Sequence, residues 1–170
     1  MSALLTAIAL SGFQVIAIDV DDERLQLAKE FGANLIINPQ KQNVFREVMR
    51  QYDSGVDVCF ESGGYCETIE MGFSILNNDK GHLLFASHPE SGGKISLDPH
   101  ELIKGKKLSG SWGGGSNPEK IAQKLSDLFV LGKLPLERLI EKKYKFGQIN
   151  DAFNDMRRGI SIRPLIDLRS

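Results

Sequence analysis

Hydrophobic and polar positions fall into short blocks along this 170-residue chain, and the period of the blocks changes repeatedly. Residues 2–10 are almost wholly apolar and are followed by Ser11-Gly12, which predicts a buried helix over 2–11. Val15-Ile16-Ala17-Ile18-Asp19 reads as a strand ending in an acid. Asp21 or Asp22 then caps a helix in which Leu25, Ala28 and Phe31 recur at helical spacing, and Gly32 supplies its stop. Leu35-Ile36-Ile37 is a short strand, and beyond Pro39 a helix runs through Val44, Val48 and Met49. Ser54-Gly55 turns into the strand Val56–Glu61, and a helix from Cys66 to Leu76 leads through the loop 77–81 to a strand at His82–Ser87. Asp98-Pro99 opens a short helix, 107–112 is a strand running into three glycines, and Pro118 opens a helix with Ile121, Leu125, Leu128 and Phe129 on one face. In the tail, Ile149–Met156 is helical and 164–168 extended.

Strand–helix alternation through about residue 132 predicts an α/β fold with a doubly wound parallel sheet. The expected division is a dinucleotide-binding domain over 1–132 and a separate tail over 133–170. Asp19 sharpens this expectation. In a Rossmann-like unit, an acid at the end of the second strand holds the adenosine ribose hydroxyls. That unit also needs an earlier strand and a G-x-G-x-x-G turn roughly 20 residues upstream. Asp19 lies only 18 residues after Met1, and the first glycine is Gly12. The expected fold therefore lacks its first strand and its Gly-rich phosphate loop.

Composition narrows the classes. The 21 basic and 22 acidic side chains balance, which argues against nucleic acid or an anionic membrane as a partner. Cys59 and Cys66 are too few for a disulfide framework and lack metal-site spacing, so both are expected as free thiols in the cytoplasm. The apolar N-terminal block is shorter than a membrane span and has no basic residue before it.

Several segments together carry a resemblance. They are Val15–Asp19 with 25–33 (LQLAKEFGA), Val56–Glu61 with Glu67-Thr68, and Gly110-Ser111-Trp112-Gly113-Gly114. The most specific is the ending Ile149-Asn150-Asp151-Ala152-Phe153 with Met156, Gly159 and Ile162-Arg163. The chain resembles the cofactor-binding half and C-terminal tail of the zinc-type medium-chain alcohol dehydrogenases. The resemblance implies a fragment of an NAD-dependent enzyme passing hydride between an alcohol or polyol and the nicotinamide, inactive by itself. It also implies that the tail returns to a catalytic domain lying outside these residues.

The resemblance assigns a partial NAD site, and each residue in it has a plainer reading. Asp19 would accept from both ribose hydroxyls and repel a 2′-phosphate, or simply cap a helix. Arg24 would contact the same ribose, or be a solvated cation. Ser62 and Gly63 would pass the adenosine, or form a turn. Phe85, Ala86 and Ser87, with Ser111, Trp112 and Gly113, would hold the carboxamide through backbone groups at strand ends. Arg163 would reach the pyrophosphate, a task suited to its donor fork, or lie free on the surface. The family's zinc ligands and proton relay fall upstream, so neither a metal ligand nor a catalytic residue is expected here.

Two other enzyme classes share parts of this pattern. A short-chain dehydrogenase would show Tyr-x-x-x-Lys, but Val56, Ile69 and Gln148 follow Tyr52, Tyr65 and Tyr144 at that spacing. A methyltransferase also ends its second strand in a ribose-binding acid, and residues 15–28 alone would fit one. A non-enzymatic nucleotide-binding or interaction module is the remaining alternative. A missing central strand would forfeit about four aliphatic side chains at roughly 1.5–3 kcal/mol each. The expected remedies are association with another copy, pairing of 15–19 with 56–61, or residues from elsewhere.

Overall fold

The computed structural model describes residues 1–10, 14–113, 115, 117–140, 142–161 and 163–169. The chain divides into two compact units, residues 13–118 and residues 1–12 with 119–170. It is α/β throughout, and every sheet is small and parallel.

In the unit 13–118, β1 (Ile16–Ile18) pairs with β2 (Leu35–Ile37), and α2 (Asp22–Glu30) connects them. Asp21 caps α2 by accepting from the Glu23 and Arg24 amides at 2.9 and 3.2 Å. Asn43 caps α3 (Val44–Gln51), which leads to a second sheet in the order β3 (Val58–Glu61), β4 (His82–Phe85), β5 (Lys107–Gly110). Between these strands lie α4 (Cys66–Ser74) and α5 (Pro99–Lys104), the latter capped by Asp98 and opened by Pro99.

Ile37, Val44, Val48 and Ile75 form one core cluster, against which Ile16, Ile18, Leu35, Val56 and Met71 pack. Ile69, Phe73, Leu76 and Leu83 form a second, against which Val56, Cys59, Phe85, Leu97 and Leu108 pack. Val56 belongs to both margins and joins the two layers. Helix α4 approaches the sheet closely at Gly72, where a Cβ would stand 2.9 Å from Cys59 Sγ and 3.0 Å from Leu83 Cδ1.

The other unit holds α1 (Ser2–Ala9), α6 (Pro118–Val130, its first residue lying at the boundary), α7 (Ile149–Arg157) and a parallel pair, β6 (Lys143–Lys145) with β7 (Leu165–Asp167). Leu5, Ala9, Leu134, Leu139, Tyr144 and Ala152 are its buried apolar residues. No helix among the described residues is long and apolar enough to cross a membrane.

The elements match the hydrophobic blocks, with differences at their ends. Helix α1 stops at Ala9; Ser11 and Gly12, expected to close it, lie outside the described residues, as do Gly114 and Ile162. β3 begins at Val58, not Val56. The Val56 amide donates to Ile75 O and its carbonyl accepts from Asn77 N, forming a separate bridge beside the end of α4. Gly55 makes this possible at φ +80°, where a Cβ would come within 2.6 Å of Ile75 O. The strand β6 and a 3-10 turn at Leu136–Leu139 were not predicted. In β6 only Tyr144 is apolar-facing, too short a pattern to register.

Pairing of 15–19 with 56–61, one of the three remedies considered from sequence, does not occur. β1 pairs with β2 and β3 with β4, so the partial Rossmann sheet keeps an opening where its first strand would lie. Helix packing by α3 and α4 holds the halves without it.

Candidate functional site

Parallel strands place their carboxyl ends together, and in doubly wound sheets ligands bind there. In the unit 13–118 the register aligns Glu61 with Phe85 and Phe85 with Gly110. Ser62, Ala86 and Ser111 therefore leave the sheet side by side, and backbone bonds carry the ladder one residue further: Ala86 N donates to Glu61 O and Ser111 N to Phe85 O.

Asp19 ends β1. Its Oδ1 accepts from the Asp21 amide at 3.0 Å, Oδ2 stands 4.0 Å from the Arg24 guanidinium, and the side chain is 34% exposed. The helix cap is Asp21, so the Asp19 carboxylate is oriented but not consumed. Such a group can accept two hydroxyl hydrogen bonds at once.

Glu61 ends β3 in the same sequence pattern, with the opposite outcome. It is buried, and Oε1 accepts from Gly63 N at 2.6 Å, Gly64 N at 3.0 Å and Thr68 Oγ1 at 2.7 Å. Oε2 accepts from Ser87 Oγ. Burial pushes the Glu61 carboxyl up, but the donors from Ser87, Thr68, Gly64 and Gly63 outweigh it and hold the group below the usual carboxylate range. One carboxylate thus fixes the loop after β3, the first turn of α4 and the loop after β4. Sequence reasoning missed this role, although an acid followed by Ser62-Gly63-Gly64 pairs an acceptor with two close amides.

The other strand-end residues lie around it. Ser62 and Gly63 are exposed, while Phe85, Ala86 and Ser87 are half-buried. The Gly63 amide and the Ser87 hydroxyl are both given to Glu61. Ser111 Oγ accepts from Gly113 N at 3.1 Å, and Gly113 turns at φ +80°. Trp112 is 90% exposed, with its ring 4.6 Å from that of His88.

In the unit 1–12 with 119–170, the Arg163 guanidinium donates to Ser2 Oγ at 2.7 Å. Met1, Ser2, Met156, Arg163 and Pro164 line an open cleft of about 510 Å³. The first intrahelical bond of α1 runs from Leu5 N to Met1 O, so the amides of Ser2, Ala3 and Leu4 precede it. A helix start beside a guanidinium suits an anion. Arg163 was singled out from sequence, but the helix start beside it was not.

Cys59 packs in the second core, where burial and then the Glu61 charge push its thiol up to about 12. Cys66 lines a separate small apolar pocket. Among the described residues, no three His, Cys, Asp or Glu side chains stand together as a metal site.

Residues 2–130 match the family described as zinc-binding dehydrogenase. Benzyl alcohol dehydrogenase from Acinetobacter calcoaceticus is 33% identical with a TM-score of 0.90, the match covering 96% of this chain and 45% of that one. An alcohol dehydrogenase zinc-binding domain protein from Burkholderia ambifaria is 30% identical with a TM-score of 0.91, covering 98% and 45%. Galactitol-1-phosphate dehydrogenase from Escherichia coli is 27% identical with a TM-score of 0.76, covering 92% and 46%. The chain thus spans a little under half the length of the solved structures it matches. By family match and fold, it belongs to the zinc-binding dehydrogenases and corresponds to the cofactor-binding half of a zinc-type alcohol dehydrogenase.

Proposed function

We propose that the chain holds NAD for an alcohol or polyol dehydrogenase and performs no chemistry by itself. The observation that carries the reading is Asp19: a part-exposed carboxylate at the end of a parallel strand, oriented by the Asp21 amide. It would take the ribose hydroxyls and disfavour a 2′-phosphate. Arg24 sits beside it as the second ribose contact. Ser62 and Gly63 would pass the adenosine, with Glu61 fixing their loop. The strand ends Phe85, Ala86, Ser87, Ser111, Trp112 and Gly113 would present backbone groups to the carboxamide. When bound, the nicotinamide supplies hydride transfer. The alcohol substrate and the zinc would be handled by residues other than these 170, and a cytoplasmic site of action fits the free thiols.

Calorimetric titration with NADH and NADPH tests the reading. NADH should bind in the micromolar range and more tightly than NADPH. Asp19→Ala should weaken NADH by about tenfold, the loss of roughly 1.4 kcal/mol expected for hydrogen bonds to a charged group. It should tighten NADPH, because the charge that repels the 2′-phosphate is removed. No saturable binding below millimolar would instead make the chain a non-enzymatic module, and tighter NADPH binding would overturn the role of Asp19.

A further inference from the structure

The loops that follow β3 and β4 meet around one carboxylate. The backbone ladder between these strands ends where Ala86 N donates to Glu61 O, just past the register pair of Glu61 and Phe85. One residue further, the connection passes to side chains: Ser87 Oγ donates to Glu61 Oε2. The other oxygen of the same carboxylate holds the Gly63 and Gly64 amides.

The two loops are also in close contact. A Cβ on Gly63 would stand 3.0 Å from Glu61 Oε1, and one on Gly64 would stand 3.7 Å from Ser87 Cβ and from His88 O. Gly64 lies at φ +84°, a conformation that glycine adopts without strain. The loop after β3 therefore wraps the carboxylate and rests on the start of the loop after β4. Past Ser87 the chain turns out to solvent, with His88 and residues 90–96 exposed before Ser96 N donates to Glu70 Oε1 at 2.7 Å. Ser87 is thus where this long loop is fastened to the end of the sheet.

We propose that the Glu61–Ser87 pair sets the span of the cofactor site, an inference that rests on the NAD reading above. It holds the loop 62–64, which passes the adenosine, at a fixed distance from the strand end 85–87, which faces the carboxamide. A dinucleotide gains from both of its ends only when the two subsites match its length, because the second contact then forms within a molecule already bound. A loop that must first be ordered subtracts from that gain. Glu61 and the Ser87 hydroxyl are positioning groups: they act through the backbone they fix, and the hydrogen bond between them matters more than the charge.

Calorimetric titration of the full chain with NADH and with ADP-ribose, which lacks the nicotinamide, tests it. Ser87→Ala removes the donor and keeps the backbone. It should weaken NADH by about fivefold and leave ADP-ribose within about twofold of wild type. Ser87→Thr keeps a hydroxyl and Glu61→Gln has an amide that can donate to Ser87, so both should retain the wild-type ratio of the two affinities. Gly72→Ala, a change in the packing of α4 on Cys59 and Leu83, should leave that ratio unchanged and so separates spacing from general stability. Equal weakening of both ligands by Ser87→Ala, or of neither, would overturn the proposal and leave the NAD reading standing. A ratio lost in Glu61→Gln but kept in Ser87→Ala would make charge the cause and sink it as well. Wild type binding both ligands equally well would show no nicotinamide subsite to position, and binding of neither would remove the NAD reading and this proposal together.

Discussion

Asp19 and Glu61 are both acids that end an apolar strand, yet their surroundings give them different work. Glu61 has four donors aimed at it, so its removal leaves several part-buried polar groups without their acceptor. Glu61→Leu should cost about 3 kcal/mol or more in urea denaturation, at roughly 1–3 kcal/mol per orphaned group. Glu61→Gln should cost less, since its carbonyl can keep three donors while its amide donates to Ser87. The acid response follows from the lowered carboxyl. Stability from Glu61 is complete above the unfolded value near 4.3 and is lost as pH falls through the folded one. Wild type should therefore lose stability between about pH 5 and 3 more steeply than Glu61→Gln. Cys59 gives a second test at this scale: with its thiol at about 12, it should resist iodoacetamide at pH 8 in the native protein, as peptide mass mapping would reveal.

At the scale of elements, local chemistry places caps and stops where the residue types demand them. Asp21, Asn43 and Asp98 each accept first-turn amides, and Gly32, Gly105 and Gly132 end their helices at positive φ. Helices and the strands β1 to β5 were legible because each carries its own periodicity. Strand β6 was not, because its partner β7 lies 20 residues on and only pairing makes it a strand. Close packing of elements is equally invisible to periodicity. Gly72 looks like an ordinary helix interruption, but α4 needs it to reach Cys59 and Leu83. Gly72→Ala should improve helix propensity and still destabilise the protein by about 1–3 kcal/mol, because the added methyl overpacks that contact. Thermal melting of the two forms checks the sign.

At the scale of the molecule, the open edges of β1 and β3 dominate. Val58 and Phe60 stand exposed beside unpaired backbone, the arrangement that natural sheets usually cover or charge. The double substitution of Val58→Lys and Phe60→Lys should lower light scattering at a given concentration. The sequence by itself determined the order of strands and helices, the α/β class, the acid at the end of β1 and the family, because these depend on residue types and spacings within one element or one motif. Only the tertiary structure decided which strand-ending acid stays available. Asp19 keeps part of its carboxylate in solvent, whereas Glu61 is buried and spends its carboxylate on holding two loops. It also decided that the halves of the sheet remain apart, since pairing depends on where α3 and α4 hold the strands and not on the strands' own preference to extend.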